Sequence, residues 1–416
     1  MTLQCRGCRF GGELPTVQAQ ALEDVRVLDL SRVLAGPFCT MILADLGAEV
    51  IKVEPVGITE EERGAGPYVQ GISTYFFSIN RGKKSVSLNL KHPAGVDIIR
   101  RLVPKVDILA ENFTPGTMDR LGLGYGDLEP LNPRLIYASL SGFGQTGPYR
   151  DRHAVDVIIQ GLSGLMSITG EPGGRPVRVG VSLADLAGGI FAAVGILAAL
   201  EARHRTGRGQ HVDVGLLDAV LALLENPIVR YVATGEVPGP LGSRHPLITP
   251  FQAFPTKDGY VVVAGVRDWQ LFCAKLGRPD LMFDERFQTN ESRTEHHAEL
   301  EPILEEVFRQ KTTAEWLSEL EEEVAFVAPV NTIDRILADS HVQARGSILE
   351  LPLPGGREGS LKVPAPPPRF SRTPTRVERP APLLGEHTLE VLTGLAGLAP
   401  AEVERLAAEG VVGLGR

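Results

Sequence analysis

Val25-Arg-Val-Leu-Asp-Leu30, then a run from residue 37 to 46 that follows Ala35-Gly36, then Ala48-Glu-Val-Ile-Lys-Val53, make the stretch whose reading sets the fold. The two outer runs are rich in Val, Leu and Ile and read as short strands. Between them Pro37 pre-sets the φ angle of a first helical turn, which predicts a helix over residues 37–46. The theme recurs downstream: Ser85-Val-Ser-Leu-Asn-Leu90, a helix over 93–102, Val106-Asp-Ile-Leu-Ala110, Leu135-Ile-Tyr-Ala-Ser-Leu140 and, after a long central helix, His211-Val-Asp-Val-Gly-Leu216. Strands alternating with helices predict a mostly parallel sheet covered on both faces, with ligands at the carboxyl ends of its strands. The expected class is α/β with a Rossmann-like large domain.

The pattern changes beyond this core. Gly, Pro and His accumulate between residues 226 and 250 and read as a linker or loop. Phe251-Gln-Ala-Phe-Pro-Thr-Lys-Asp-Gly-Tyr-Val-Val-Val-Ala264 predicts a hairpin turning at Lys257-Asp-Gly259, followed by helices. The expected organisation is an extension over 1–20, a large domain over 21–225, the linker over 226–250, a small α+β domain over 251–335, and a return segment with C-terminal helices over 336–416. A second Pro-rich passage lies within that return, and Pro400-Ala-Glu-Val-Glu404 reads as a helix start.

Composition narrows the function. With 416 residues, 43% hydrophobic and 22% charged, the chain is that of an ordinary globular protein large enough for two or three domains. A net charge of -9 argues against nucleic acid or an anionic membrane as the main partner. The N-terminal residues lack the apolar core of a signal peptide, and the expected location is cytoplasmic. Cys5-x-x-Cys8 has no second pair to complete a zinc site, so neither metal nor a tightly bound cofactor is expected. The apolar run Leu186 to Leu200, bounded by Asp185 and Glu201, is shorter than a bilayer span and reads as a buried helix.

The start of that run is the most informative site. In Val179-Gly-Val-Ser-Leu-Ala-Asp185-Leu-Ala-Gly-Gly189 a strand is expected to end and a helix to begin at one carboxylate. The helix dipole and first-turn amides favour its ionised form. Gly188 and Gly189 are expected to let a substrate come close, which would suit a carboxylate nucleophile. Ser182-x-x-Asp185 also fits a capping box, in which Asp185 only satisfies the backbone. Local basic clusters, at Asn80-Arg-Gly-Lys-Lys84 and around Arg203, Arg205 and Arg208, suit phosphate groups or plain solvated surface. His296-His297 reads as a solvated helix face. P-loop, nucleophile-elbow and zincin motifs are absent.

Read together, Leu28-Asp-Leu-Ser-Arg-Val-Leu-Ala-Gly-Pro-Phe38, Gly47-Ala-Glu-Val-Ile-Lys-Val-Glu-Pro55, Asn80-Arg-Gly-Lys-Lys-Ser85, Glu111-Asn-Phe-Thr-Pro-Gly116, Ser141-Gly-Phe-Gly-Gln-Thr-Gly-Pro-Tyr149 and Arg205-Thr-Gly-Arg-Gly-Gln210 resemble the family III CoA-transferases, which include α-methylacyl-CoA racemases. The resemblance runs from about residue 22 to 412. It implies an interlocked homodimer of ring-like subunits and coenzyme A, or its acyl thioester, as a substrate. It also implies Asp185 as nucleophile, passing through aspartyl anhydride and aspartyl-CoA thioester intermediates. Arg63, Asn80, Arg81, Lys83, Lys84 and Ala35 match positions that line the CoA nucleotide, while Thr114 stands where many relatives carry Arg. Racemases in the family place a His where this chain has Val155, before Asp156; His153 lies two residues too early. That departure favours acyl transfer over racemisation. Leu34, in place of a Gln, argues against formyl or oxalyl substrates. The segment Gly242-Ser-Arg-His-Pro246 looks like the branch acting on succinyl-CoA and glutarate-like dicarboxylates, with Arg244 and His245 as candidate carboxylate ligands.

Overall fold

The computed structural model describes residues 19–57, 61–320 and 324–415. Most of the 1–20 extension, including Cys5 and Cys8, lies outside the described residues. The chain divides into two compact units. One is built from the described parts of Met1–Val155, Ala184–Ala219 and Gly346–Arg416, the other from Asp156–Leu183 and Val220–Arg345.

In the first unit β1 (Arg26–Asp29), β2 (Glu49–Glu54), β3 (Lys84–Leu88), β4 (Ile108–Glu111), β5 (Ile136–Ser141) and β6 (His211–Gly215) pair in parallel in the order β3-β2-β1-β4-β5-β6. The short strand Val412–Gly413 adds antiparallel to β3, so the end of the chain closes that edge. The order reverses between β1 and β4. In an open parallel sheet such a reversal opens a crevice beyond the carboxyl ends of the strands, where the flanking connections leave for opposite faces.

Helices α1 (Ala35–Asp45) and α2 (Pro93–Leu102) cover the sheet much as the sequence predicts. In α2, His92 accepts the Ala94 amide, Pro93 occupies the first turn, and Ile98, Ile99 and Leu102 are buried. Each such aliphatic side chain contributes about 1.5–3 kcal/mol of burial. They join Leu28, Ile51, Val86, Leu109 and Tyr137 in one core.

Helix α3 (Leu183–Thr206) departs from expectation in two ways. No strand precedes it; residues 175–182 form bends and irregular chain. It also runs 24 residues, longer than the apolar run suggested, and by length and composition alone it could cross a membrane, although half of its most apolar window is buried in the protein. Its far end is anchored in the first unit: buried Arg203 pairs with Asp107 at 2.9 Å and donates to the Arg134 carbonyl. A cation in the last turn complements the helix dipole.

In the second unit Phe251–Pro255, Tyr260–Val266 and Ala325–Pro329 form an antiparallel sheet, packed on Phe254, Phe272, Phe287, Phe308 and Trp316. Residues 226–250, expected as a linker, belong to this unit, as do residues 220–225, expected in the large domain. The Gly242 amide donates to the Gly170 carbonyl, and the His245 and Ala253 amides donate to the Phe251 carbonyl and Ser243 Oγ. His297 is buried rather than solvated. Its Nε2 lies 2.6 Å from Gln252 Oε1, so the imidazole joins the strand Phe251–Pro255 to its own helix.

Candidate active site

At the sheet's reversal, the chain leaving β1 runs through Ser31, Arg32, Val33 and Leu34 into α1. Val33 adopts φ 64°. A β-branched residue is strained in that region, and such strain persists only where the surroundings over-determine it. They do so here. Asp29 is fully buried; its Oδ1 accepts from the Ser31 amide at 3.0 Å and from the Ser31 hydroxyl, and its Oδ2 accepts from Thr40 at 2.6 Å and from Lys83 at 3.0 Å. Lys52 Nζ donates to the Ser31 carbonyl at 2.8 Å and pairs with Glu62. Burial pushes the Asp29 carboxyl up, but Lys83, Lys52 and the hydrogen bonds from Ser31 and Thr40 hold it below the usual carboxylate range. Burial in turn holds the Lys83 ammonium below the usual Lys range, with Asp29 opposing.

From β4, Asn112 closes the other side of the reversal. Its Oδ1 accepts the Arg32 amide at 2.7 Å, its Nδ2 donates to the Arg32 carbonyl, and the Arg32 guanidinium lies over Phe113. No side chain caps the start of α1. First-turn amides of an 11-residue helix thus stand at the mouth of the crevice, an arrangement that suits an anion or a developing oxyanion.

Asp185 is half-buried in the first turn of α3. The two glycines behind it do not open a path for a substrate, contrary to the sequence expectation; they seat the helix. A Cβ at Gly189 would stand 2.7 Å from the Ala35 carbonyl oxygen and 3.1 Å from Phe38 Cδ1, and a Cβ at Gly188 would stand 2.3 Å from Leu216 Cδ2. Residues four apart share a helix face and differ by about 6 Å along the axis. Asp185 therefore lies on the same face of α3 as Gly189, which packs on Ala35 and Phe38 of α1, and one turn nearer the helix start.

The basic residues take other places. Asn80 is buried, donating to the Phe76 carbonyl and accepting from Lys83. Arg81 is buried in a two-pronged pair with Asp45. Lys83 is fully enclosed with Asp29, Thr40 and the Pro37 carbonyl. Arg63 forks onto Glu54, donates to the Pro382 carbonyl and lies 3.5 Å above the Phe76 ring. Lys84 bridges Glu49 and Glu390. In this unit all five side chains are held by internal partners. The cluster around Arg203, Arg205 and Arg208 sits at the opposite end of α3 from Asp185, about 27 Å away for 18 residues of rise.

Sequence reasoning missed a second group of cations. Beyond the ends of β4 and β5, Arg120 Nη1 and Arg150 Nη2 come within 3.3 and 3.5 Å of the Cβ position at Gly116. Arg150 borders a cavity with Glu111, Asp119, Ser139, Gln145 and His211. Gln145 Nε2 is buried there without a hydrogen-bond partner. Burial pushes the Glu111 carboxyl up to about 7, against hydrogen bonds from Ser139 and the Phe113 amide. Arg120 and Arg150 leave two different strands, and nothing in their sequence spacing signals that they converge. They supply positive charge close to the loop that carries Thr114.

In the second unit Val155's neighbour Asp156 is buried and accepts from Gln160 Nε2 at 2.7 Å, while Val155 and His153 are exposed. The proton-transfer pair of a racemase is not assembled from them. Arg244 and His245 line one cavity; the His245 Nδ1 accepts the Leu247 amide at 3.1 Å, and its ring packs on Phe251. Among the described residues, no group of three or more His, Cys, Asp or Glu side chains is placed to hold a metal ion.

Comparison with known proteins gives this geometry its class. Residues 22–388 match the model of CoA-transferase family III. The chain is 41% identical to a mouse succinyl-CoA:glutarate CoA-transferase, covering 94% of this chain and 90% of the relative. It is 40% identical to a succinyl-CoA–D-citramalate CoA-transferase of Chloroflexus aurantiacus, covering 94% and 98%. A CaiB/BaiF family protein from Brucella suis superposes with a TM-score of 0.83 at 37% identity, over 91% of this chain and all of that one. The chain belongs to CoA-transferase family III. It is a CoA-transferase, and CoA thioesters are its substrates.

Proposed function

We propose that the enzyme moves CoA from succinyl-CoA, or a similar dicarboxylic acyl-CoA, to a second dicarboxylic acid, with Asp185 as the nucleophile. The observation that carries this reading is the seating of Asp185 through Gly189 against the uncapped start of α1, at the point where the sheet order reverses. The names of the mouse and Chloroflexus relatives supply the acid class.

The Asp185 carboxylate attacks the thioester carbonyl, the C–S bond breaks, and CoA leaves as thiolate from a mixed acyl-aspartyl anhydride. The thiolate attacks the aspartyl carbonyl and expels the donor acid as carboxylate, leaving an aspartyl-CoA thioester. The acceptor carboxylate attacks that thioester and releases the thiolate, which then takes the acceptor's acyl group and restores Asp185. No net proton, electron or water is consumed, and the thioester is conserved provided water is excluded. First-turn amides of α1 beginning at Ala35 would stabilise the oxyanions. Asn80, Arg81 and Lys83 serve the CoA site by holding the loop between β1 and α1 and the segment before β3. Arg63 and Lys84 are the members of the set that retain solvent contact for the nucleotide. Arg244 and His245 take a substrate carboxylate.

The reading includes a homodimer. Ile190, Phe191 and Val194 form an exposed apolar stripe on α3, and Val229 and Val232 are 65% and 77% exposed on the helix Glu225–Thr234. A second copy would cover such faces; light scattering at the mass of one chain would refute it. For the chemistry, succinyl-CoA followed by hydroxylamine should convert Asp185 to a hydroxamate detectable by peptide mass. Asp185→Ala should keep CoA affinity and lose transfer. Turnover at the wild-type rate in that variant would sink the covalent role.

A further inference from the structure

One cavity of the second unit gathers cations that form no ion pair among the described residues. It lies between the helix Glu225–Thr234 and the following loop, and Arg230, Arg244, His245 and Asn226 line it. Arg230 is half-buried and makes no side-chain hydrogen bond or ion pair among the described residues. Arg244 also lacks an ion pair among them, and its Nε is buried without a hydrogen-bond partner. With the Leu247 amide on Nδ1, the neutral His245 ring carries its proton on Nε2, a further donor. The single acid in the lining, Glu225, turns its carboxylate to the Asn226 amide at the helix start. Arg244 also borders a neighbouring cavity with Glu171, Glu301 and Glu305, none of which forms an ion pair with it.

Guanidinium groups taken from water without a counter-charge are costly, and the cost is recovered when an anion arrives. Two guanidiniums and an imidazole N–H match the flat, two-oxygen shape of a carboxylate. We propose that this cavity is the subsite for the spectator carboxylate of a dicarboxylic acid, the one that never forms a thioester, and that Arg230 joins Arg244 as a specificity-determining residue. The inference rests on the dicarboxylate reading above. In a dicarboxylic substrate the spectator carboxylate keeps its charge through every step, so a site for it selects donor and acceptor alike. A monocarboxylic acid would leave both guanidiniums unpaired.

The test compares initial rates of CoA transfer from succinyl-CoA to glutarate and to butyrate, for wild type, Arg230→Gln, Arg244→Gln and Arg230→Lys. Loss of a charge-assisted hydrogen bond predicts that the glutarate-over-butyrate ratio of kcat/KM falls about 10- to 100-fold in each Gln variant, mainly through KM for glutarate, with partial return in Arg230→Lys. An unchanged ratio in both Gln variants overturns the subsite. So does a change of oligomeric state without a change of ratio. If wild type transfers CoA to no dicarboxylic acid, the functional reading falls, and calorimetric titration with glutarate decides the cavity separately. Binding lost in the Gln variants supports it, and equal binding overturns it.

Discussion

Lys83→Met tests the idea that a buried charge network holds the strained loop at the active site. Lys83 Nζ is ringed by Thr40 Oγ1 at 2.8 Å, Asn80 Oδ1 at 2.9 Å, Asp29 Oδ2 at 3.0 Å and the Pro37 carbonyl at 3.0 Å. That is more acceptors than an ammonium has protons. Met fills most of the same volume, so the change removes the charge without opening a large cavity. It leaves the fully buried Asp29 carboxylate with Lys52 as its remaining cation. Breaking a buried pair by removing one partner costs about 3–5 kcal/mol, whereas removing both charges costs much less. Urea unfolding should therefore show Lys83→Met destabilised by about that amount, and Asp29→Asn with Lys83→Met less destabilised than the sum of the single changes by at least about 1 kcal/mol. The acid limb adds a second readout. In wild type the Asp29 carboxyl is held below its unfolded value, so its contribution is complete above the unfolded pKa of about 4 and is lost as pH falls through the lower folded value. Without Lys83 that loss should begin at higher pH. A Lys83→Met protein within about 0.5 kcal/mol of wild type, or singles that simply add, would refute the network argument.

Gly189→Ala places a methyl 2.7 Å from the Ala35 carbonyl oxygen, and α3 must shift to relieve it. Overpacking of this kind costs about 1–3 kcal/mol, and a displaced carboxylate should lower kcat by about 10- to 100-fold; wild-type kcat would remove Gly189 as the element that seats Asp185. Glu111→Gln probes the cavity beyond β4 and β5. Because burial pushes the Glu111 carboxyl up to about 7, the folded protein holds a proton that the unfolded chain releases near 4.5, so stability falls as pH rises through that window. The variant should match wild type near pH 5 and exceed it by up to about 3 kcal/mol at pH 8; equal stability at both pH values would contradict the buried carboxyl.

Much of the first unit was legible from the chain. Strand runs with Val, Ile and Leu fell within a residue or two of β1 to β6, and Pro37 and Pro93 marked both helix starts, because a parallel strand buried on both faces writes its burial directly into composition. The second unit was less legible. Residues 226–250 looked like a linker because Gly and Pro signal irregular chain but not what it hydrogen-bonds to. His297 looked solvated because its partner, Gln252, lies 45 residues away.

The same division holds at the site. Sequence by itself determined that Asp185 opens a long helix and that Val155 offers no imidazole for proton transfer, since both are statements about one residue and its chain neighbours. Tertiary structure decided what the charges do. Asn80-Arg-Gly-Lys-Lys84 turned inward to Asp29, Asp45 and Glu49, while Arg120 and Arg150 converged on Gly116, and Arg230 with Arg244 came to line a cavity. A cation's role depends on whether an acid meets it in space, and that meeting is set by strand order and by loops far apart in the chain.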